Sequence, residues 1–121
     1  MIAYKTKDGL TFRYQNIARG ISCRVAFENK RWRYNVSHCA RHIASGIADS
    51  HLEALKQTTH FIDEVNEAIE RLGIFFAQRV FISRSTRPQT IWKIEMANEI
   101  WMANELQAAV TAIIDSQRGS A

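Results

Sequence analysis

The segments ISCRVAF (residues 21–27) and WRYNV (residues 32–36) alternate between apolar and polar side chains. A period of two is typical of a strand with one buried face. The four residues between the segments, Glu28-Asn29-Lys30-Arg31, are polar and favour a turn. Residues 21–36 therefore predict an antiparallel hairpin that buries one face and exposes the other.

The same alternation occurs on either side of this hairpin. Ile2 and Tyr4 precede the turn pair Asp8-Gly9, and Leu10, Phe12 and Tyr14 follow it. A short extended piece at Arg41–Ala44 predicts another possible strand. The chain before Gly46 thus predicts a sheet of two hairpins.

The outward side chains of these predicted strands are polar, and several are basic. If the apolar residues point inward, the exposed face contains Thr11, Arg13, Gln15, Ser22, Arg24, Arg33 and Asn35. Arginine bridges phosphates and reads guanine edges, and short polar side chains assist. We single out Arg13, Arg24, Arg33 and Asn35 as a candidate nucleic-acid or partner face. The alternative is that these arginines only keep an exposed sheet face soluble.

A long helix follows the predicted sheet. Ser50 and Glu53 form a capping box, and Gly73 is a natural stop. Between these two residues, one side of the predicted helix is apolar and the other side is largely acidic. We expect the helix to lie on the apolar face of the sheet, so that its acidic flank and the basic face lie on opposite sides.

The remaining chain is harder to interpret. Ile74–Ile82 fits a strand buried on both faces or a short buried helix, and we favour the strand. A long C-terminal helix is expected from about Gln89 or Ile91 to Ser116, with two apolar stripes. Because a surface helix needs only one stripe, this favours a homodimer with Ile94 and Trp101 near the interface. Alternatively, Ile74–Ile82 covers the second stripe within one chain.

Composition gives the broad class of the protein. The 121 residues fit a single α+β domain, residues 1–121, with 46% hydrophobic and 23% charged residues. The net charge of +4 is uneven: residues 1–45 have nine basic and two acidic residues, whereas residues 46–121 have seven and ten. The basic part is strand-rich and the rest mainly helical. No signal peptide or membrane span is expected, and the two cysteines are expected to be free thiols in the cytoplasm.

The segment His38-Cys39-Ala40-Arg41-His42 is the densest cluster of possible metal ligands or nucleophiles. A zinc site needs about four ligands, and a Cys–His pair needs an orienting group that the sequence does not supply. We therefore expect an ordinary loop here. No catalytic residue, cofactor site or metal site is predicted.

Two functions remain open. The first is that of a non-enzymatic protein that binds DNA or RNA through the basic face. The second is that of a protein-interaction module (a regulator, inhibitor or mobile-element accessory protein) that dimerises through the C-terminal helix. The order of elements from Trp32 to Leu72 resembles, as a fold, phage integrase arm domains, three-stranded plant DNA readers and the double-stranded-RNA-binding fold. The helix after Gly46 also resembles the partial ribonuclease fold of HicB-type antitoxins. No diagnostic residue string identifies a family.

Overall fold

The computed structural model of the chain describes residues 2–5, 10–73, 80–96 and 98–119. It has an α+β fold, as predicted, in which two antiparallel sheets are each followed by a helix. The first sheet contains five strands and the second contains three. The elements are β1 (Ile2–Lys5), β2 (Thr11–Asn16), a 3-10 turn (Ile17–Arg19), β3 (Ile21–Glu28), β4 (Arg31–His38), β5 (Arg41–Ala48), α1 (His51–Arg71), β6 (Val80–Ser85), β7 (Ile91–Met96), β8 (Glu99–Ala103) and α2 (Leu106–Gly119).

The first sheet follows chain order from β1 to β5, and every neighbouring pair is antiparallel. This confirms the strand pairing of both predicted hairpins, and the possible strand at Arg41–Ala44 is part of β5. In the first hairpin the shared apolar face is wrong, because the register sets Ile2 opposite Gln15 and Tyr4 opposite Arg13. The alternation sets the buried face, where Val25 and Val36 have 0% exposure. One cross-strand row on that face consists of Phe12, Val25, Tyr34 and Gly46.

Two tight turns connect β3 to β4 and β4 to β5. Asn29 and Lys30 have φ of 53° and 64°, and Cys39 and Ala40 have φ of 48° and 65°. Two central residues with positive φ define the type I′ turn, which matches the twist of the flanking strands and favours Asn and Gly. The Cys39-Ala40 turn therefore uses two residue types that this conformation disfavours.

Replacing Ala40 with glycine is expected to stabilise the protein. A left-handed conformation costs an L-residue about 1–2 kcal/mol, which glycine avoids, although glycine loses about 0.5–1 kcal/mol more backbone entropy. We expect Ala40→Gly to raise the free energy of unfolding by about 1 kcal/mol, measured by urea denaturation. Ala112→Gly, at an exposed position of α2, is the control and should lower that free energy by about 1 kcal/mol. A loss of stability in both variants would contradict the explanation.

Helix α1 begins and ends where the sequence predicts. The Ser50 side chain accepts a hydrogen bond from the backbone N–H of Glu53 at 3.1 Å, and the helix closes at Leu72, just before Gly73. Its apolar arc packs on β3, β4 and β5. The buried residues of the helix are Ala54, Thr58, Val65, Ala68 and Ile69.

The second sheet corrects the prediction for the C-terminal part. The long helix expected from Gln89 or Ile91 to Ser116 is wrong over residues 91–103, which form the hairpin β7–β8, and only its C-terminal half is helical. The favoured strand at Ile74–Ile82 is confirmed for Val80–Ile82, within β6. Residues 74–79 lie outside the described residues.

The reason for placing Ile94 and Trp101 at a dimer interface is therefore lost. Ile94 has 0% exposure and faces the core of its own subunit, so it cannot contact a second copy. Trp101 is half-buried, packs against the same core and pairs with Ile94 across the hairpin. Helix α2 buries its apolar stripe inside the chain through Leu106, Ala109, Val110 and Ile113. The segment has two groups of apolar residues because its first half is a β-hairpin with one buried face and its second half is a helix with one buried stripe.

Both helices pack on the same side of the two sheets, since α1 and α2 touch each other and α2 contacts β7 and β8. The opposite face of the five-stranded sheet is left exposed. Among the described residues, the helices include none that is long and apolar enough to cross a membrane.

Candidate functional site

The four residues predicted to form a basic face lie together on the exposed side of the first sheet. The register places Arg13, Arg24, Asn35 and Ser45 in one continuous row across β2, β3, β4 and β5. Arg33 belongs to the next row, between Ala26 and Ile47. Arg13, Arg24, Arg33 and Asn35 are all exposed. We call these four residues the basic face.

Arg13 and Arg24 lie directly opposite each other at a position where side chains come closest. The Phe27 N–H donates to the Leu10 carbonyl at 2.8 Å. From this pair onward, every second pair of opposing residues along β2 and β3 is hydrogen-bonded. The Arg13–Arg24 pair falls between bonded pairs, where opposing Cα atoms are about 4.5 Å apart. Like charges in this position destabilise a sheet. An anion bound between them would remove that cost.

Few acidic side chains neutralise the basic face. Arg24 forms an exposed ion pair with Glu28 at 3.2 Å, and Glu28 is a carboxylate on this face that the sequence analysis did not include. Among the described residues, Arg13 and Arg33 have no carboxylate partner. Exposed pairs such as Arg24–Glu28 are worth at most about 1 kcal/mol, so Arg24 can exchange Glu28 for another anion.

Other arginines of the chain are used in tertiary packing. Arg19 donates to the Asn66 side chain at 2.8 Å, and Arg71 ties α1 to α2 through Gln107 and Thr111. Arg41 lies 4.3 Å from the ring of Phe81, and Arg84 lies 4.8 Å from that of Phe61. The arginines of the basic face differ from these four because their heads project to solvent.

The surface between these side chains is uneven and polar. A depression of about 180 Å³ is lined by Arg13, Gln15, Ser22, Arg24 and Asn35, among others. A second depression of about 390 Å³ lies on the other side of Arg24 and Asn35 and extends to Arg33 and Ser45. Both are open. Guanidinium, amide and hydroxyl donors therefore converge from four neighbouring strands.

The opposite side of the domain has the opposite charge. Helix α1 covers the inner face of the sheet and exposes Glu53, Asp63, Glu67 and Glu70 to solvent. These carboxylates and the four residues of the basic face lie on opposite sides of the sheet.

The His38–His42 segment connects the two sheets. His38 is buried with 0% exposure, and its Nδ1 accepts a hydrogen bond from the Ile82 backbone N–H of β6 at 3.1 Å. The His42 ring nitrogen Nδ1 lies 3.3 Å from the carbonyl oxygen of Arg84, and an Arg84 guanidinium nitrogen donates to the Ile43 carbonyl at 3.4 Å. The loop interpretation is right for the Cys39-Ala40 turn, but the flanking histidines have a structural function that the sequence analysis missed.

The contact between His38 and Cys39 does not make an activated thiol. Cys39 Sγ is 3.8 Å from His38 Nε2, a distance that only a long hydrogen bond to sulfur can span. However, the Nδ1 lone pair accepts from Ile82, so the neutral ring already has its proton on Nε2. His38 therefore has no free lone pair with which to take the thiol proton of Cys39.

Neither cysteine is in a disulfide: Cys23 is a buried free thiol and Cys39 an exposed one. Burial raises the pKa of Cys23 to about 11, and a hydrogen bond with Thr58 opposes this shift. Within residues 10–73, 80–96 and 98–119, no three His, Cys, Asp or Glu side chains gather in a way that could hold a metal ion.

Comparison of the chain with protein-family models, with curated proteins and with solved structures finds no significant match.

Proposed function

We propose that the protein binds nucleic acid through the phosphate groups, and that the basic face is the contact surface. The observation that supports this most directly is the exposed Arg13–Arg24 pair, which is continued by Asn35 in the same row. Two guanidinium groups at this spacing can bridge a phosphate with charge-assisted hydrogen bonds. Arg33 extends the positive surface toward β5.

The shape of the face favours contact with the backbone over the reading of bases. Five strands at about 4.8 Å span about 19 Å, whereas the major groove of B-DNA is about 12 Å wide. The flat face cannot enter the groove, but it can lie across a phosphate ridge. We therefore expect weak sequence preference, with affinity set mainly by the release of counterions.

The test is the salt dependence of binding to a labelled duplex, followed by fluorescence anisotropy. Three phosphate contacts predict a slope of log K against log salt of about −2.7, which is about a 40-fold loss of affinity between about 50 and 200 mM salt. Each of Arg13→Ala, Arg24→Ala and Arg33→Ala should weaken binding and reduce the slope by about 1. Arg24→Lys should retain the slope but lose affinity, since lysine lacks the bidentate geometry.

The matched control is Lys56→Ala, which removes the same charge from an exposed position of α1 on the opposite side. This variant should bind like the parent protein. Absence of binding at low salt would overturn the proposal. So would equal losses in Lys56→Ala and the three arginine variants, since binding would then respond to net charge alone.

A protein-interaction role is the second candidate function. It is favoured by Ile100 and Met102, large apolar residues of β8 that are 61% and 66% exposed. These residues lie on the three-stranded sheet and the basic face lies on the five-stranded one, so variants at each surface separate the two functions.

A further inference from the structure

Strand β8 is an edge strand with an exposed apolar surface. It pairs with β7 on one side only, at the end of the sheet order β6-β7-β8. Ile100 and Met102 project from its outer face, and both are more than half exposed. Edge strands are usually protected by charge, proline or a covering element, because an open edge pairs with other strands. An edge with two adjacent apolar side chains is thus suited to a partner strand.

The hairpin register shows which backbone groups are free. Met96 and Glu99 pair and are separated by only two residues in the sequence, so Glu99, Trp101 and Ala103 direct their backbone N–H and C=O groups toward β7. Ile100 and Met102 direct theirs to the open edge. Among the described residues, none bonds these four groups.

We infer that the partner is a second copy of this chain, with β8 pairing antiparallel to β8 of the other copy about a two-fold axis at Trp101. In this register Ile100 of each subunit faces Met102 of the partner. Each of these pairs exchanges two backbone hydrogen bonds, because the groups of both residues point to the edge. The four apolar side chains then cover one another.

The apolar side chains select this register over its two symmetric alternatives. A register with Ile100 facing Ile100 of the other copy sets Met102 against Asn98, and one with Met102 facing Met102 sets Ile100 against Asn104. Only the offset pairing sets all four apolar side chains against one another, so the edge is complementary to itself. The nearest charges on the outer face of β7 are used within the subunit, where Glu95 pairs with Lys93 at 3.5 Å and with Arg41 at 3.7 Å.

This assembly would join the two three-stranded sheets into one sheet of six strands. A two-fold axis perpendicular to a sheet keeps both outer faces on the same side, so the basic faces of the two copies would point in the same direction. If the proposed nucleic-acid binding holds, one duplex could contact both, which raises affinity through avidity. The dimer itself does not depend on that function.

The test is the mass of the intact chain in solution, by light scattering and sedimentation equilibrium. We expect twice the chain mass of 13.9 kDa. Ile100→Lys should raise the dissociation constant of the dimer by roughly tenfold or more, since it places a charge against Met102 of the partner. The double variant Ile100→Lys/Met102→Glu should restore the dimer, because the offset register sets Lys against Glu in both pairs. Each new charge also lies opposite an opposite charge of its own β7, Glu95 or Lys93.

Leu52→Lys is the matched control, since Leu52 is 64% exposed on α1 and lies away from β8. It should leave the dimer unchanged, and circular dichroism checks that each variant is folded. A monomer of 13.9 kDa for the parent protein would overturn the inference, as would a dimer unaffected by Ile100→Lys. An open series of larger assemblies would also contradict it, because the two-fold pairing closes the edge.

Discussion

Replacing His38 with leucine is expected to lower the free energy of unfolding by about 1–3 kcal/mol, because the Ile82 N–H of β6 then lies buried without an acceptor. Leucine fills much of the volume of the ring, so the loss reports mainly the missing hydrogen bond. Chemical denaturation at neutral pH measures it. His38→Asn offers an acceptor oxygen near the position of Nδ1 and should recover part of the stability.

The same residue should make stability depend on pH. Burial lowers the pKa of His38, and the charge of Arg41 lowers it further, whereas a hydrogen bond with the Arg19 backbone opposes both effects. In the unfolded chain histidine has a pKa near 6.5, so below that pH the unfolded state takes up a proton before the folded state does. Stability is therefore full above about pH 7 and falls with acidification, by up to about 1.4 kcal/mol at pH 5.5.

Both His38→Leu and His38→Asn should flatten this dependence between about pH 7.5 and 5.5, a window above the titration of ordinary carboxyl groups. Denaturation curves at the two pH values provide the measurement. An equal decline in the parent protein and in both variants would assign the effect to another group.

The second large effect is expected at Gly46, where the Tyr34 ring covers the backbone of β5. A Cβ at this position would lie 2.5 Å from the Tyr34 hydroxyl oxygen and 2.7 Å from the ring carbon that bears it. Gly46→Ala should therefore push the ring out of its place in the core and cost about 1–3 kcal/mol. The midpoint of thermal or urea unfolding measures the loss.

A double-mutant cycle separates this contact from any intrinsic cost at position 46. In a Tyr34→Leu background the clash is absent, so Gly46→Ala should be neutral, or stabilising by about 0.5–1 kcal/mol because alanine suits a strand better than glycine. If Gly46→Ala lowers the free energy of unfolding equally in both backgrounds, contact with the Tyr34 ring does not explain why position 46 is glycine.

Most of the first sheet and all of α1 could be predicted from local patterns. The alternation along β2, β3 and β4 fixes which side chains face the core and which face solvent, and so it also assigns Arg13, Arg24, Arg33 and Asn35 to one exposed face. The Ser50–Glu53 capping box fixes the start of the helix. These features depend on neighbours in the sequence, and the pairing of β2, β3 and β4 then follows from short connections.

The hairpin of residues 91–103 could not be separated from a helix in this way. Trp92, Met96 and Ile100 are spaced by four residues, which places them on one face of a helix and also on one face of a strand. Met, Ala and Glu are frequent in this segment and favour a helix. The strict alternation of Trp92, Ile94 and Met96 was the signal for a strand, and tertiary packing, with all three buried against α2, decides the outcome.

By itself the sequence determines the strands β2, β3 and β4, the capped helix and the chemistry of the basic face, because periodicity and capping act between residues close in the chain. The tertiary structure alone decides that Arg13 lies opposite Arg24, that His38 accepts from Ile82, and that Gly46 accommodates Tyr34. Those contacts join residues 11 to 44 positions apart. They depend on strand register and on the docking of one sheet against the other, which no local pattern specifies.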